Sequence, residues 1–91
     1  MKEIEFHNEF TIIGRVINKE DALVGNDSYV MTTLLCPNDM DYNMEPNKVN
    51  VYIPGHVFDN IKITNKLGII GHIEFNNNSN ILIADSVAFI K

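Results

Sequence analysis

Apolar residues recur along this chain mostly at every second position and in short β-branched runs. That period is typical of strands with one buried face. It argues against a helical bundle, whose apolar residues would recur every three or four positions. The pattern predicts five strands with turn-forming residues between them. The predicted strands cover residues 10–17, 29–36, 48–53, 67–75 and 81–90.

The segments between the predicted strands differ in length and character. Residues 19–28 and 76–80 collect turn formers, so we expect each to connect neighbouring strands, and the first two strands to pair as a hairpin. Gly14, inside the first strand, allows that strand to bend or bulge. Residues 37–47 contain two prolines and no β-branched residue, which predicts a long exposed loop.

The third predicted strand has a clean alternation of apolar and polar residues. One face carries three β-branched side chains, and we expect it to line the core. These residues are Val49, Val51 and Ile53. The opposite face, toward solvent, carries polar and amphipathic side chains. These residues are Lys48, Asn50 and Tyr52.

A short helix is predicted directly after this strand. A proline-glycine pair ends the strand, and the spacing of Val57, Phe58 and Ile61 gives one apolar face over about residues 56–63. The order of elements is therefore three strands, a helix and two strands.

Length and composition fit one globular domain over residues 1–91. Hydrophobic residues make up 45% of the chain, and no run approaches the roughly 20 apolar residues that span a bilayer, so we expect no membrane partner. The opening residues mix acids with apolar residues and lack the pattern of a signal peptide, which predicts a cytoplasmic protein. The single cysteine, Cys36, cannot form an internal disulfide.

The net charge of the chain bears on how tightly it is expected to bind DNA. The chain carries 12 acidic against 7 basic residues, a formal charge of −5, and the acids are spread along it. Affinity for nucleic acid comes largely from Lys and Arg side chains that neutralise phosphates. This balance therefore counts against a strong stand-alone DNA-binding protein.

Three segments resemble bacterial single-stranded-DNA-binding proteins. They are IIGRV at 12–16, KLGIIGHI at 66–73 and ADSVAFI at 84–90. The segments occur in the family's order and at about its spacing. The resemblance implies an all-β fold, a five-stranded antiparallel OB-fold barrel with one short helix between strands 3 and 4. The recorded ligands of that fold are oligonucleotides and oligosaccharides.

The aromatic residues that the resemblance implies for base stacking are missing at their expected places. In the family they lie in the loop after strand 2, at both ends of strand 3 and near the turn between strands 4 and 5. The corresponding residues here are Met40, Lys48, Pro54 and Asn78, none of them aromatic, and the chain has no tryptophan. The stacking surface therefore looks reduced.

A smaller nucleic-acid surface is predicted on other residues. Tyr52 stacks one base in this interpretation, with Lys48 and Asn50 beside it on the same strand face. The cations that reach phosphates are Arg15, Lys62 and Lys66. The alternative is an amphipathic tyrosine on a solvated strand face, without a ligand.

The long loop is acidic where the resemblance implies that it wraps a DNA strand. It contains three acids and no Lys or Arg, so we expect it to repel phosphate. Its alternate positions hold Met40, Tyr42 and Met44, a soft apolar and aromatic set suited to contacts with a protein partner. The alternative is that these three side chains fold back onto the barrel.

No residue pattern indicates catalysis, a metal or a cofactor. His7, His56 and His72 lie far apart in sequence, with no Cys or carboxylate at metal-ligand spacing. Glycine-rich phosphate loops, nucleophile elbows and paired-acid motifs do not occur in the sequence. We therefore predict a binding protein and not an enzyme.

These observations favour an accessory protein of DNA replication that docks on a polymerase, primase or helicase. The retained barrel, the missing stacking residues and the acidic surface motivate this hypothesis, and single-stranded DNA is then a weak ligand. The alternative is a stand-alone single-stranded-DNA-binding protein that acts as a homo-oligomer and pools weak sites. A third alternative is a site for a sugar or another small ligand, although the sequence shows no concave aromatic-lined site.

Overall fold

The computed structural model describes residues 8–36, 47–55 and 60–91, and the regular elements in these ranges are all β-strands. The prediction of a five-stranded all-β fold is confirmed. In this part of the chain no helix is long and apolar enough to cross a bilayer. The strands are β1 Phe10–Val24, β2 Asp27–Cys36, β3 Asn47–Pro54, β4 Lys66–Asn76 and β5 Ser79–Ile90.

The five strands form one sheet that closes on itself in the order β1-β2-β3-β5-β4. β1 closes it because its first part pairs with β4 and its second part with β2. The pairings are antiparallel except between β3 and β5, which run parallel at Val51–Leu82 and Tyr52–Ile83. The expectation of a wholly antiparallel arrangement is wrong at this junction. β4 runs opposite to β1, so the hairpin that follows returns β5 in the direction shared by β1 and β3.

β1 is seven residues longer than predicted. The turn formers of residues 19–28 predict a turn that includes Lys19, Glu20 and Asp21, but these three residues pair with β2 in a strand whose side chains are exposed at these positions. Backbone pairing keeps this polar segment in a hairpin without burial. The turn itself is only two residues long, and Gly25 adopts a φ of 63° that suits glycine.

The irregularity in β1 lies beyond the position expected from the sequence. The register with β2 shifts between Val16 and Asn18, three residues after Gly14. Gly14 instead permits close contact between the two strands. A Cβ at this position would lie 3.0 Å from Cys36 Sγ and 3.0 Å from the Leu35 carbonyl oxygen.

The helix predicted over about residues 56–63 is not observed in its described part. Residues 56–59 lie outside the described residues, and 60–65 form turns and irregular backbone held against β1. Val16 N–H donates to the Asn65 carbonyl and Thr64 N–H donates to the Val16 carbonyl, both at 2.8 Å. These backbone groups therefore bond to a strand and not along a helix. Ile61, expected on the apolar helix face, is nevertheless buried.

The core is formed by alternate residues of the strands together with Ile61. β3 contributes as predicted, since Val51 and Ile53 are fully buried and Val49 is partly buried. Each side chain of this size contributes about 1.5–3 kcal/mol on burial. The packed interior therefore fixes which residues of every strand face solvent. The central cluster comprises Val16, Leu34, Val51, Ile53, Ile61, Leu67, Ile69 and Ala84.

Candidate nucleic-acid interface

Alternation along β2 and β3 divides their side chains between core and solvent. Thr32 and Leu34 on β2 are fully buried, as are Val51 and Ile53 on β3. Their neighbours in sequence point outward because successive strand residues face opposite sides. The outward residues are Tyr29, Met31, Thr33 and Leu35 on β2, and Lys48, Asn50, Tyr52 and Pro54 on β3.

Two tyrosine rings meet on this outer face. Tyr52 lies opposite Met31, and Tyr29 is the next outward residue along β2, so the two tyrosines are diagonal neighbours. Their ring centroids are 6.4 Å apart with an interplanar angle of 84°. This edge-to-face geometry is favourable, and ring faces of this kind can stack nucleobases. The sequence predicts Tyr52 at this site but not Tyr29. Alternation along β2 places Tyr29 on the outer face, but only the register of β2 against β3 brings it to Tyr52.

The tips of two hairpins border the Tyr52 ring. A cleft of about 180 Å³ is lined by Leu23 and Val24 at the β1–β2 tip, by Tyr52, and by Asn76 and Asn77 at the β4–β5 tip. OB folds in general bind oligonucleotides on strands 2 and 3 and on the loops between strands 1 and 2 and strands 4 and 5. The cleft therefore combines the same elements.

A wider depression of about 1010 Å³ runs along the β1–β2 hairpin beside Tyr29. Its lining includes Lys19, Glu20 and Asp21. Lys19 Nζ donates a hydrogen bond to the Ile61 carbonyl at 2.7 Å, so its ammonium group is directed at backbone. The two exposed carboxylates give this side of the ring pair an acidic character.

Two carboxylates, those of Asp27 and Glu74, act on the Tyr29 phenol. The pKa of the Tyr29 phenol is raised, first by burial and then by the charges of Asp27 and Glu74. Negative charges that disfavour a phenolate also disfavour the approach of phosphates. We refer to Tyr29, Tyr52, Asp27 and Glu74 as the aromatic region. Its rings lie near two carboxylates, and the ammonium of Lys19, in the neighbouring depression, is bonded to the Ile61 carbonyl.

Three of the predicted cations lie in one row on the outer surface. Arg15 on β1 is paired with Lys66 on β4 and with Leu35 on β2, and Leu35 is paired with Lys48 on β3. Lys48 is four residues from Tyr52 on the same strand, a separation of about 13 Å at the ordinary rise of a β-strand. The cations are therefore close to one another and distant from the rings.

Lys62 joins this row through the segment that packs on β1. Arg15 Nη1 donates to the Thr64 carbonyl at 2.9 Å. The Lys62 backbone N–H donates to Asn65 Oδ1 at 2.8 Å, which fixes the turn that presents the exposed Lys62 side chain. We refer to Arg15, Lys48, Lys62 and Lys66 as the basic region.

Asn50 completes the predicted nucleic-acid residues. Its Oδ1 accepts a hydrogen bond from Thr33 Oγ1 at 2.8 Å, which ties β3 to β2 between the two regions. The six predicted residues thus divide between a central strand face, with Asn50 and Tyr52, and the basic region.

The predicted partner-binding residues Met40, Tyr42 and Met44 lie outside the described residues, as do His7 and His56.

His72, on β4, contacts Asp85 and Glu74 through opposite ring nitrogens. The two carboxylates therefore lie on opposite sides of the imidazole, and the three groups do not face a common point at which a metal ion could bind. Within ranges 8–36, 47–55 and 60–91, no group of three or more His, Cys, Asp or Glu side chains is arranged to hold a metal.

Comparison by sequence finds no matching family model and no matching curated protein. Comparison by structure finds similar folds. The N-terminal domain of the PriB protein from Thermoanaerobacter tencongensis, solved as a dimer, is 18% identical with a TM-score of 0.74, over 92% of this chain and 97% of that one.

Two single-stranded-DNA-binding proteins have the same fold. The mitochondrial protein Rim1 of S. cerevisiae is 12% identical with a TM-score of 0.71, over 97% of this chain and 98% of that one. The Plasmodium falciparum SSB, solved in complex with single-stranded DNA, is 17% identical with a TM-score of 0.65, over 100% of both chains. The likeness in fold expected from the three resembling segments is confirmed.

Proposed function

We propose that this chain is an OB-fold module that binds single-stranded DNA on the outer face of β2 and β3, with Tyr29 and Tyr52 as the stacking surface. The proposal depends on one observation, the contact between these two rings on the sheet face and beside the hairpin tips that OB folds use for oligonucleotides. The shared fold with Rim1 and the Plasmodium protein supports it.

The arrangement favours modest affinity with a shallow dependence on salt. Stacking contributes about 1–3 kcal/mol per base and is independent of salt to first order. Phosphate contacts come from the basic region, and each one adds about −0.7 to the slope of log affinity against log salt for a single strand. With at most four cations in that region, stacking is a large share of the binding energy.

The test is titration of a fluorescent oligothymidine with the protein and its ring variants. Tyr52→Ala should weaken binding by roughly 5- to 150-fold, the range that corresponds to loss of one stacked base. Tyr52→Phe should bind like the unaltered protein because a phenyl ring still stacks. Phe89→Ala is the matched control, since Phe89 is a half-exposed ring on β5 opposite Leu67, away from the ring pair.

Two results would contradict the proposal. One is the absence of measurable binding by the unaltered protein at low salt. The other is equal affinity of the unaltered protein and Tyr52→Ala.

The negative field at the ring pair favours a second candidate, docking on a polymerase, primase or helicase. Asp27 and Glu74 lie beside exposed ring surface, and such an acidic and aromatic patch complements the basic flank of a DNA-processing enzyme. Affinity capture from the host should then recover a replication enzyme, and Asp27→Lys should release it. If the Asp27→Lys protein captures as much of the enzyme as the unaltered protein, this surface is excluded as the docking site.

Assembly with further copies of the chain would pool weak sites for DNA. Ile13 on β1 and Ile70 on β4 are 52% and 44% exposed on the same outer face. The PriB domain, which is similar in fold, was solved as a dimer. Light scattering should show a multimer that Ile13→Glu dissociates and Leu23→Glu, at the distant hairpin tip, does not. A monomer at all concentrations would exclude assembly.

A further inference from the structure

His72 is held between two carboxylates on the outer face of β4 and β5. Its Nδ1 lies 2.8 Å from Asp85 Oδ2 and 3.0 Å from Asp85 Oδ1, and its Nε2 lies 3.0 Å from Glu74 Oε1. An ionised carboxylate only accepts hydrogen bonds, so each ring nitrogen has to donate. The Glu74 and Asp85 side chains are 49% and 56% exposed, so solvent reaches both carboxylates. The arrangement therefore requires an imidazole that carries both ring protons.

The fold places these groups together through a β-bulge. Ile70 pairs with Ser86 and Gly71 pairs with Ala84, which leaves Asp85 as an extra residue on β5. A bulge redirects side chains, and here the Asp85 carboxylate reaches His72 on the neighbouring strand. Gly71 permits the bulge, because a Cβ there would collide with the Ile83 carbonyl oxygen. Glu74 lies two residues from His72 on the same face of β4.

The cluster lies beside the aromatic region. Tyr52 is paired with Ile83 on β5, and Ile83 is paired with His72 on β4. Two strand spacings separate Tyr52 from His72, a distance of about 10 Å. Glu74 itself contributes to the field that acts on Tyr29. A change of charge at His72 should therefore alter the electrostatic potential at a ligand bound on the ring pair.

We propose that His72, Glu74 and Asp85 form a proton-dependent clamp on the outer face of β4 and β5, closed while the imidazole carries both ring protons and opened when one proton is lost to solvent. A neutral imidazole has a single N–H and can donate to one carboxylate only. The other carboxylate then faces a ring nitrogen with a lone pair. The cluster becomes more negative by one unit, and the repulsion between its two carboxylates is no longer offset.

The sign of the pH dependence follows from the direction of the shift. Hydrogen bonds to Asp85 and then to Glu74 raise the pKa of His72, against a smaller opposing effect of burial. The stabilisation is therefore fully present below the ordinary pKa of histidine, about 6.5, and is lost as pH rises through the higher pKa of the folded state.

The neighbouring strands place one further carboxylate, that of Glu9, beside the cluster. On the β1 side, Phe10 pairs with Gly71 and the Asn8 side chain bonds to the backbone of Ile73, so Glu9 lies alongside His72. On the β5 side, Asp85 and the uncharged Ile83 face it. The clamp is thus a single imidazolium among carboxylates.

Nuclear magnetic resonance of the histidine rings tests the clamp without any ligand. The His72 signals, assigned by their loss in His72→Gln, should titrate at a higher pH than an ordinary histidine. Asp85→Asn should lower the pKa of His72 more than Glu74→Gln does. Glu20→Gln, which removes an exposed carboxylate elsewhere on the outer surface, should leave it unchanged. An ordinary pKa, or one indifferent to Asp85→Asn, would overturn the proposal.

Thermal unfolding provides a second readout. Over the pH interval that begins at about 6.5, the ordinary pKa of histidine, and extends through the raised pKa of His72, the melting temperature of the unaltered protein should fall more than that of His72→Gln. Parallel pH profiles of the two proteins would show that the clamp does not contribute to stability.

A third measurement rests on the proposed binding of single-stranded DNA. Affinity for oligothymidine should fall by roughly two- to fivefold over the same pH interval, the size expected for one partly exposed charge, and should be flat in His72→Gln. An equal decline in both proteins would overturn the link to the ligand. If no variant binds DNA, the proposed function fails while the ring titration and the unfolding profiles still test the clamp.

Discussion

The aromatic and basic regions share one outer surface but differ in charge and in origin. The rings come from β2 and β3 and lie near Asp27 and Glu74, whereas the cations come from β1, β3, β4 and the segment before β4. About 13 Å separates Tyr52 from Lys48, the nearest cation of the basic region along β3. A ligand that uses both regions must span that distance. Stacking and phosphate contact therefore involve different residues in this protein and can be altered one at a time.

Among changes of charge, reversal of one charge in the aromatic region should have the largest effect on affinity. Asp27→Lys removes a carboxylate beside Tyr29 and adds a cation, so affinity for oligothymidine should rise by about tenfold at low salt, since local potential concentrates phosphates. The slope against log salt should also steepen by about 0.7 if the lysine contacts a phosphate. Titrations at several salt concentrations measure both quantities.

The control for this reversal is Glu9→Lys, which changes the net charge equally just before β1 and three strand spacings from Tyr52. Both reversals are made in the His72→Gln protein, because Glu9 lies alongside His72. A gain confined to Asp27→Lys would establish the local field as the cause. Equal gains in the two variants would mean that total charge governs binding, and the distinction between the regions would lose its meaning.

Removal of cations from the basic region should have a smaller effect on affinity, in the opposite direction. Lys66→Gln and Arg15→Gln should each weaken binding by a few fold and make the salt slope shallower by about 0.7, because each removes one phosphate contact. Arg15→Lys keeps the charge and should keep the slope. An unchanged slope in Lys66→Gln would place the phosphates elsewhere.

The faces of individual strands were readable from the sequence because alternation is local. Val51 and Ile53 are buried and Lys48 and Asn50 are exposed, as the pattern of β3 predicted. Local composition did not predict the strand where backbone pairing, and not burial of side chains, holds the segment in place. The charged residues 19–21 belong to β1 because β2 supplies their hydrogen-bond partners, and no apolar pattern marks such a segment.

The candidate site was only partly predictable, since it depends on register between strands. Tyr29 and Tyr52 are 23 positions apart in sequence and meet only because Met31 is opposite Tyr52. A connection as long as residues 37–46 does not fix that register in the way a two-residue turn would. For the same reason Arg15 and Lys66 could be named individually from the sequence, but not placed side by side.

The smallest expected effect is on the ionisation of Tyr29, and it tests the negative field directly. Asp27→Asn should lower the pKa of the Tyr29 phenol, because it removes the larger of the two charges that raise that pKa while burial is unchanged. Ultraviolet titration of the protein, with the Tyr29→Phe profile subtracted to remove the other tyrosines, isolates this group. Glu9→Gln should leave the Tyr29 profile unaltered. A profile indifferent to Asp27→Asn would mean that water screens the carboxylate from the ring, and a weaker approach of phosphate to the aromatic region could then no longer be attributed to Asp27.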